Sequence, residues 1–329
     1  MSKKEILFIS SAEIKAILSM QESIEAMKFA FISLSKGKAD VPQRISIKLS
    51  EDKGEALFMP AYEKDKEFTS LKIVSVFKDN LKINLPKIQA LIFLMNAENG
   101  TPLAVMDGEY ITSMRTGAVS GLATDLLSKR DSKNAAIFGT GVQAKKQLEA
   151  IAQVRKLENV FAFGSSLDKS KIFVDENKDK YSFELIASED KSLISKCDII
   201  CTATSSFTQV FEDKYINEGT HINSVGSYKA EMNEIPEETI IRSKVVVDSH
   251  STCLKEAGDI IKPINKGLIT KEHIYAELGE IASGSKPGRE NDFEITAFKS
   301  VGIAIQDLAV ASLVYKKAKL KNSGTMIIL

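Results

Sequence analysis

The amino-acid sequence predicts an α/β protein in which a doubly wound parallel sheet is joined to a smaller α+β domain. Three observations support this prediction. A strand, a Gly-Thr-Gly turn and a helix follow one another over residues 134–148, strands and helices then alternate regularly, and antiparallel strand patterns precede them. The chain has 329 residues, which is enough for two domains with separate hydrophobic cores.

The glycine turn has the residues that a phosphate-binding loop needs. An apolar run enters Gly139, Thr140 and Gly141, and a helix-forming segment begins at Val142. The first N–H groups of such a helix lack partners and its dipole is positive at that end, so the turn can bind a pyrophosphate. Ala144 lets the helix pack close to the strand. We interpret the segment as a dinucleotide site, and a plain glycine turn is the alternative.

The ends of four predicted strands define one edge of the parallel sheet. Ligands of such sheets bind beyond the carboxyl ends of the strands, so we expect the strand ends to line one crevice. After the glycine turn, strands are predicted at 159–163, 183–187, 198–204, 221–225 and 244–248, and helices at 167–179 and 189–196. The expected crevice is lined by residues 139–143, 164–166, 202–204 and 225–228.

The end of the second strand bears on the choice of cofactor. An acidic residue there suits the ribose of NAD, and an arginine suits the 2′-phosphate of NADP. The chain instead has Ser165 and Ser166, followed by Lys169, which could hold a phosphate or accept a bare ribose. The choice between NAD and NADP therefore stays open.

The first third of the chain has the patterns of an α+β domain. Ser10 with Glu13, and Ser19 with Glu22, have capping-box spacing, so a helix is expected to begin at each serine. Alternation predicts antiparallel strands at 44–49, 56–59, 71–77, 89–96 and 102–106, with a turn at 52–54. Further helices are predicted at 21–35, 109–129 and 298–320, with a loop at 279–289, and we expect the last helix to pack on this domain.

Three cations are unusual for their surroundings. Arg44 opens a predicted strand, Lys72 lies within an apolar strand, and Arg115 lies near the start of a helix rich in small residues. They could be ordinary surface charges. Alternatively, Arg44 and Lys72 form a carboxylate-binding pair, because arginine offers a bidentate fork and lysine a compact charge.

Composition excludes several classes of function. The 44 basic and 44 acidic residues give no net charge, so we expect no nucleic-acid partner. The longest apolar run, 88–95, contains Gln89, and the first residues are too polar for a signal peptide, so we expect a cytoplasmic protein without a membrane partner. Three cysteines without a metal-ligand pattern predict no metal site, and we expect Cys197 and Cys201 to pack as small apolar groups.

Taken together, the motifs resemble the ornithine cyclodeaminase/mu-crystallin family from about residue 40 to residue 310. The resemblance implies a homodimer and a Rossmann domain that binds NAD or NADP. It also implies a substrate-binding and dimerisation domain at 1–112 plus 305–329, with the Rossmann domain at 113–304. The similar stretches are 41–44, 58–61, 71–75, 106–108, 111–116, 139–144, 197–204, 219–227 and 298–302.

The resemblance also implies roles for single residues. The residues that bind the substrate carboxylate in the family fall on Arg44, Lys72 and Arg115, and Lys87 matches a position near the nicotinamide or substrate. With the glycine turn and the strand ends, the predicted cofactor-binding residues are Lys87, Gly139, Thr140, Gly141, Val142, Gln143, Ser165, Ser166, Thr202, Thr204, Val225 and Ser300.

One departure from the family's sequence pattern bears on the choice between cyclodeamination and reduction. Cyclodeaminases have an aspartate where this chain has Tyr228, and a neutral phenol cannot replace a carboxylate as a base near pH 7. Glu231 and Glu234 are candidates to replace it, but their register argues against this role. The leading hypothesis is therefore NAD(P)H-dependent reduction of cyclic imino acids, pyrroline-2-carboxylate or piperideine-2-carboxylate, to proline or pipecolate. Ornithine or lysine cyclodeaminase, an alanine-dehydrogenase-like activity and a mu-crystallin-like binding protein are the alternatives.

Overall fold

The computed structural model describes residues 5–49, 53–64 and 66–328, and the chain forms two compact units. Unit 1 consists of Met1–Arg115 and Ile303–Leu329, and unit 2 of Thr116–Gly302. No helix in the described part of the chain is both long and apolar enough to cross a bilayer.

The described residues contain the following regular elements. The strands are β1 (Glu5–Ile9), β2 (Ala39–Asp40), β3 (Ile45–Leu49), β4 (Gly54–Glu63), β5 (Phe68–Phe77), β6 (Ile88–Asn96), β7 (Pro102–Asp107), β8 (Asn134–Phe138), β9 (Asn159–Phe163), β10 (Glu184–Ala187), β11 (Ile199–Thr202), β12 (His221–Ser224), β13 (Ser243–Val247), β14 (Ile274–Glu277), β15 (Ile295–Lys299) and β16 (Thr325–Ile328). The α-helices are α1 (Ser11–Ile17), α2 (Met20–Ser35), α3 (Gly108–Leu127), α4 (Val142–Val154), α5 (Leu167–Asn177), α6 (Glu237–Ile241), α7 (His250–Glu256), α8 (Gly258–Asn265), α9 (Leu278–Ala282) and α10 (Ala304–Lys321). Short 3₁₀ helices lie at Lys78–Ile83, Lys178–Lys180, Lys191–Lys196, Asp213–Tyr215 and Lys271–His273.

Unit 1 is an eight-stranded sheet covered by helices. Its order is β16-β1-β7-β6-β5-β4-β2, with β3 also paired to β4, and α10 packs on α2 and on β4 to β6. Both predicted capping boxes, Ser10 with Glu13 and Ser19 with Glu22, are confirmed. The predicted strands pair antiparallel, as expected, from β3 to β7. Strands β1, β2 and β16 were not predicted, and β1 runs parallel to β7.

Unit 2 contains the predicted doubly wound parallel sheet. Its order is β10-β9-β8-β11-β12-β15-β13-β14, and all neighbouring strands are parallel. Counted from β8 in chain order, the strands follow 3-2-1-4-5-8-6-7. The first five have the order of a Rossmann fold, and β15 lies where the sixth strand of that fold would lie. The ends of β8, β9, β11 and β12 therefore lie at one edge, as predicted.

Several predicted elements need correction. The predicted helix at 298–320 is β15 followed by α10, because Gly302, with φ +81°, breaks the chain between two apolar segments that periodicity alone cannot separate. The predicted loop at 279–289 begins with α9, which has a capping box formed by Glu277 and Glu280. The predicted helix at 189–196 is the 3₁₀ helix Lys191–Lys196, β3 begins one residue after Arg44, and Asp52 of the predicted turn lies outside the described residues.

Candidate active site

Unit 1 contains a buried ion cluster formed by Lys72, Arg115 and Asp307. Lys72 Nζ lies 2.7 Å from Asp307 Oδ2, and Arg115 Nε lies 3.2 Å from Asp307 Oδ1. Arg115 Nη1 also donates to Gln306 Oε1 at 2.6 Å. Lys72, Arg115 and Asp307 are only 2%, 7% and 1% exposed, so the alternative of ordinary surface charges is wrong for both cations.

Secondary structure explains how these side chains meet. In β5, alternate residues are buried, and Lys72 shares the buried face with Ser70 and Val74. The helix α10 packs on β5, and its first turn carries Asp307. Arg115 is the residue at which unit 1 ends within α3. Strand alternation and one helix turn thus bring a lysine, an arginine and an aspartate together.

The electrostatics of the cluster suit an anionic ligand. Burial lowers the pKa of Lys72 to about 8, with smaller contributions from the nearby charges of Arg115 and Arg44, whereas Asp307 acts to raise it. Arg44 is half-buried before β3 and contributes to this field. The two buried cations and one carboxylate carry one net positive charge, which a bound carboxylate would neutralise. Gln306 Nε2 is a buried donor with no partner among the residues that the structure describes.

Sequence reasoning missed Asp307 and Gln306. Both lie in an apolar helix that was expected to contribute only packing, and their partner Arg115 is 192 residues away from Asp307 in sequence. An acid and an amide at consecutive buried positions of an apolar helix were the available signal, because such groups are seldom buried without partners.

The glycine turn of unit 2 fits a pyrophosphate. Gly139 has φ +110°, and a Cβ there would lie 2.5 Å from the carbonyl oxygen of Ala203. Gly141 begins α4 without a side-chain cap, and a Cβ on it would enter open space. Val142 is 65% exposed, and Gln143 Oε1 has no partner in the described part of the chain. The first N–H groups of α4 can therefore bind phosphate oxygens.

The end of β9 carries charges of both signs. Lys169 Nζ donates to Ser165 Oγ at 3.0 Å, and Ser166 Oγ caps α5 by accepting from the Lys169 backbone N–H at 3.4 Å. Glu189, from the loop after β10, accepts from the Leu167 N–H at 3.1 Å. Sequence reasoning missed this carboxylate because it follows the third strand and not the second.

The ends of β11 and β12 are held by one buried carboxylate. Thr202 and Thr204 donate their hydroxyls to Glu234 at 3.0 and 2.7 Å, so these hydroxyls are already used within the protein. Val225 follows β12, and its N–H donates to Thr202. Tyr228 is half-buried and packs against the apolar core of unit 2.

Two predicted cofactor residues have surroundings that the sequence did not indicate. Ser300 donates its hydroxyl to Asp248 Oδ2 at 2.7 Å, and Asp248 also accepts from two backbone N–H groups that follow. Lys87 belongs to unit 1, where its carbonyl accepts from the Phe77 N–H. Their contacts with a cofactor stay predictions.

Comparison with known proteins identifies the family. The family model described as the ornithine cyclodeaminase/mu-crystallin family matches residues 4–322. The chain belongs to this family. The resemblance seen in the sequence is thereby confirmed.

Three relatives of this family member are similar over nearly its whole length. Delta(1)-pyrroline-2-carboxylate reductase of Bacillus thuringiensis subsp. konkukian is 39% identical over 98% of this chain and 99% of that one. The solved structure of Thermococcus litoralis Delta(1)-pyrroline-2-carboxylate reductase in complex with NADH and L-proline is 43% identical, with a TM-score of 0.94 over 97% of this chain and 99% of that chain. An archaeal alanine dehydrogenase dimer with bound NAD is 36% identical, with a TM-score of 0.93 over 98% and 99%.

The two glycines of the turn make a matched test of the site in this family member. We expect Gly139→Ala to lower the free energy of unfolding by about 1–3 kcal/mol, because alanine is strained at positive φ and its methyl group meets Ala203. Gly141→Ala should change stability by less than about 0.5 kcal/mol but weaken NADH binding, because its methyl group enters the open space at the helix start. Urea unfolding and NADH titration measure both effects. Equal stability of the two variants would contradict this account of the turn.

Proposed function

We propose that the protein reduces the C=N bond of cyclic 2-imino acids, such as pyrroline-2-carboxylate or piperideine-2-carboxylate, to proline or pipecolate. The observation that carries the proposal is the buried ion cluster, whose excess positive charge suits an anionic ligand. The full-length similarity to two pyrroline-2-carboxylate reductases supports this substrate class.

In the proposed mechanism, the cations bind and orient the substrate carboxylate. Arg115 is fixed by Asp307 and Gln306, so it offers its remaining N–H groups in one orientation. Arg44 adds a second fork and Lys72 a compact charge. Fixing the carboxylate also fixes the adjacent imine carbon, and such positioning removes much of the entropic cost of the reaction.

Lys72 is the proposed proton donor to the imine nitrogen. Reduction adds a hydride to the carbon and a proton to the nitrogen, so the product amine needs one proton. With a pKa of about 8 in the free protein, Lys72 is mostly charged at pH 7 and therefore carries the proton that the nitrogen needs. Asp307 keeps Lys72 in place through the 2.7 Å ion pair.

Unit 2 is proposed to hold the cofactor. The N–H groups at the start of α4 would bind the pyrophosphate, and the backbone at the ends of β11 and β12 would hold the nicotinamide half. When bound, the nicotinamide supplies the hydride. The remaining predicted contacts, including Lys87, Val225 and Ser300, are part of this proposal.

We further propose that NADH is preferred to NADPH. Glu189 occupies the start of α5, at the strand end where an acid suits the 2′-hydroxyl and repels a 2′-phosphate. Lys169 works in the opposite direction, but its ammonium group is bonded to Ser165.

Reduction of open-chain imines is the second candidate activity. It is favoured by the 36% identity to an archaeal alanine dehydrogenase over nearly the full length. Cyclodeamination is less favoured, because Tyr228 stands where cyclodeaminases have an aspartate and because Glu234 is buried and fully engaged by donors.

We also propose a cytoplasmic homodimer. The alanine dehydrogenase relative is a dimer, and β3 of unit 1 exposes Ile45 and Ile47 on one face. All three cysteines are buried and unpaired, which suits a reducing compartment.

A substrate panel tests the proposed activity. Purified protein with NADH should oxidise the cofactor with pyrroline-2-carboxylate or piperideine-2-carboxylate, and more slowly with pyruvate plus ammonia. Arg115→Ala should lower kcat/KM at least about 100-fold, equivalent to about 2.7 kcal/mol, whereas Arg130→Ala, which removes an exposed arginine, should not. Cofactor binding without oxidation of NADH by any of these substrates would point to a binding protein. Ammonia and proline released from ornithine would point to a cyclodeaminase.

Substitution of Glu189 tests the cofactor preference. We expect Glu189→Ala to raise the ratio of kcat/KM for NADPH to that for NADH about tenfold, because it removes both the 2′-hydroxyl acceptor and the repulsion of the 2′-phosphate. Glu184→Gln, on the neighbouring β10, removes an exposed charge away from the strand end and serves as the control. An unchanged ratio in Glu189→Ala would exclude Glu189 from cofactor selection.

A further inference from the structure

We infer that Glu234 is a positioning residue for the nicotinamide half of the cofactor, acting through the ends of β11 and β12. The inference rests on the proposed function, since it assumes that unit 2 binds NADH. Glu234 lies outside every element that the family resemblance singled out, and its side chain is fully buried.

Glu234 joins two strand ends through a single carboxylate. Its Oε1 accepts from the backbone N–H and the hydroxyl of Thr204, both at 2.7 Å. Its Oε2 accepts from the Thr202 hydroxyl at 3.0 Å and from the N–H groups of Gly226 and Ser227 at 2.8 and 3.0 Å. Three backbone N–H groups and two hydroxyls surround the two oxygens, an arrangement that suits an ionised carboxylate. Burial acts against this charge and raises the pKa of Glu234, whereas the Lys299 charge and the donors of Thr204 act to lower it.

A second buried carboxylate holds Glu234 in place. Asp259 Oδ1 accepts from the backbone N–H groups of Glu234 and Ile235 at 2.7 and 3.0 Å. Its Oδ2 pairs with Lys299 Nζ at 2.9 Å and accepts from the hydroxyls of Ser224 and Ser227. The chain at 234–235 is therefore fixed from one side while the Glu234 side chain fixes the strand ends on the other.

Lys299 completes the network as its buried cation. It is the last residue of β15, is 1% exposed, and donates to Ser224 and Ser227 at 3.1 and 2.7 Å. Burial acts to raise the pKa of Asp259, but the Lys299 charge and the surrounding donors outweigh it, so the pKa of Asp259 is lowered. The ends of β11, β12 and β15 are thus connected through Glu234, Asp259 and Lys299.

The packing leaves little room for the strand ends to move. A Cβ at Gly226 would collide with Glu234 Oε1 and with the backbone of Thr204, so only glycine fits there. Glu234 contacts the backbone N–H groups of both Thr204 and Gly226, so we expect its substitution to affect both strand ends.

Strand order indicates which half of the cofactor depends on this network. In a Rossmann sheet, one mononucleotide half belongs to strands 1 to 3 and the other to strands 4 to 6. Here β8, β9 and β10 form the first half, and β11, β12 and β15 lie in the positions of the second. The pyrophosphate turn and the ribose-selecting strand end belong to the first half. Glu234 acts on the second half, which takes the nicotinamide.

A binding comparison tests this role, because ADP-ribose contains every part of NAD except the nicotinamide. Glu234→Gln replaces one carboxylate oxygen with an NH₂ group, which would face a donor and lose the hydrogen bond. We expect the Kd for NADH to rise at least about tenfold, while the Kd for ADP-ribose changes less than about twofold. Glu237→Gln, which removes a carboxylate from a surface ion pair with Lys266, should leave both unchanged. Calorimetric titration measures both constants, and thermal unfolding confirms that each variant is folded.

The outcomes separate this inference from the proposed function. Wild-type protein that binds neither NADH nor ADP-ribose would overturn both proposals. Wild-type protein that binds both, with equal effects of Glu234→Gln on the two ligands, would overturn the positioning role alone. If Glu234→Gln does not fold, Thr202→Val removes one donor to the same carboxylate with a side chain of similar shape, and the same selective loss of NADH binding is expected. Equal or absent effects of Thr202→Val would again overturn the role.

Discussion

The ion pair between Asp307 and Lys72 holds together the buried cluster that is proposed to bind the substrate carboxylate. Burial alone would drive the lysine towards its neutral form, and the nearby arginines act in the same direction. Asp307 opposes this and also fixes Arg115, so a single carboxylate keeps two cations buried. Because one positive charge remains in excess, a bound carboxylate would neutralise the cluster, which supports the proposal that the substrate carboxylate binds there.

Unit 2 uses buried charges for a different purpose. Glu234, Asp259 and Lys299 bind the hydroxyls and N–H groups at the strand ends, so these ends are connected to one another through buried side chains. By contrast, the start of α4 has no side-chain cap at Gly141. Side chains thus hold the strand ends in place, whereas the backbone N–H groups at the start of α4 are the ones proposed to bind the pyrophosphate.

Local patterns in the sequence predicted much of this fold. Capping boxes, the glycine turn and the strand–helix alternation depend on residues a few positions apart, so they can be read directly. Lys72 stood out because a charge interrupted an apolar strand. The contacts of Asp307 and Glu234 could not be predicted from local patterns, because Arg115 lies 192 residues from Asp307 and Thr202 lies 32 residues from Glu234. The prediction for 298–320 was wrong because the short end of β15 joins the start of α10 through an apolar segment, in which periodicity alone does not separate a strand from a helix.

Proton uptake on ligand binding tests directly whether the buried cluster of Lys72, Arg115 and Asp307 is the carboxylate site. Lys72 is charged below pH 8 and loses its charge as the pH rises, so at pH 8.5 it is mostly neutral in the free protein. A bound carboxylate should raise its pKa and draw in more than about half a proton per site. Calorimetric titration of pyrrole-2-carboxylate at pH 8.5, in buffers of different ionisation enthalpy, measures this uptake, and it should disappear in Lys72→Met. Binding without proton uptake, or the same uptake in Lys72→Met, would contradict the assignment of the buried cluster as the carboxylate site.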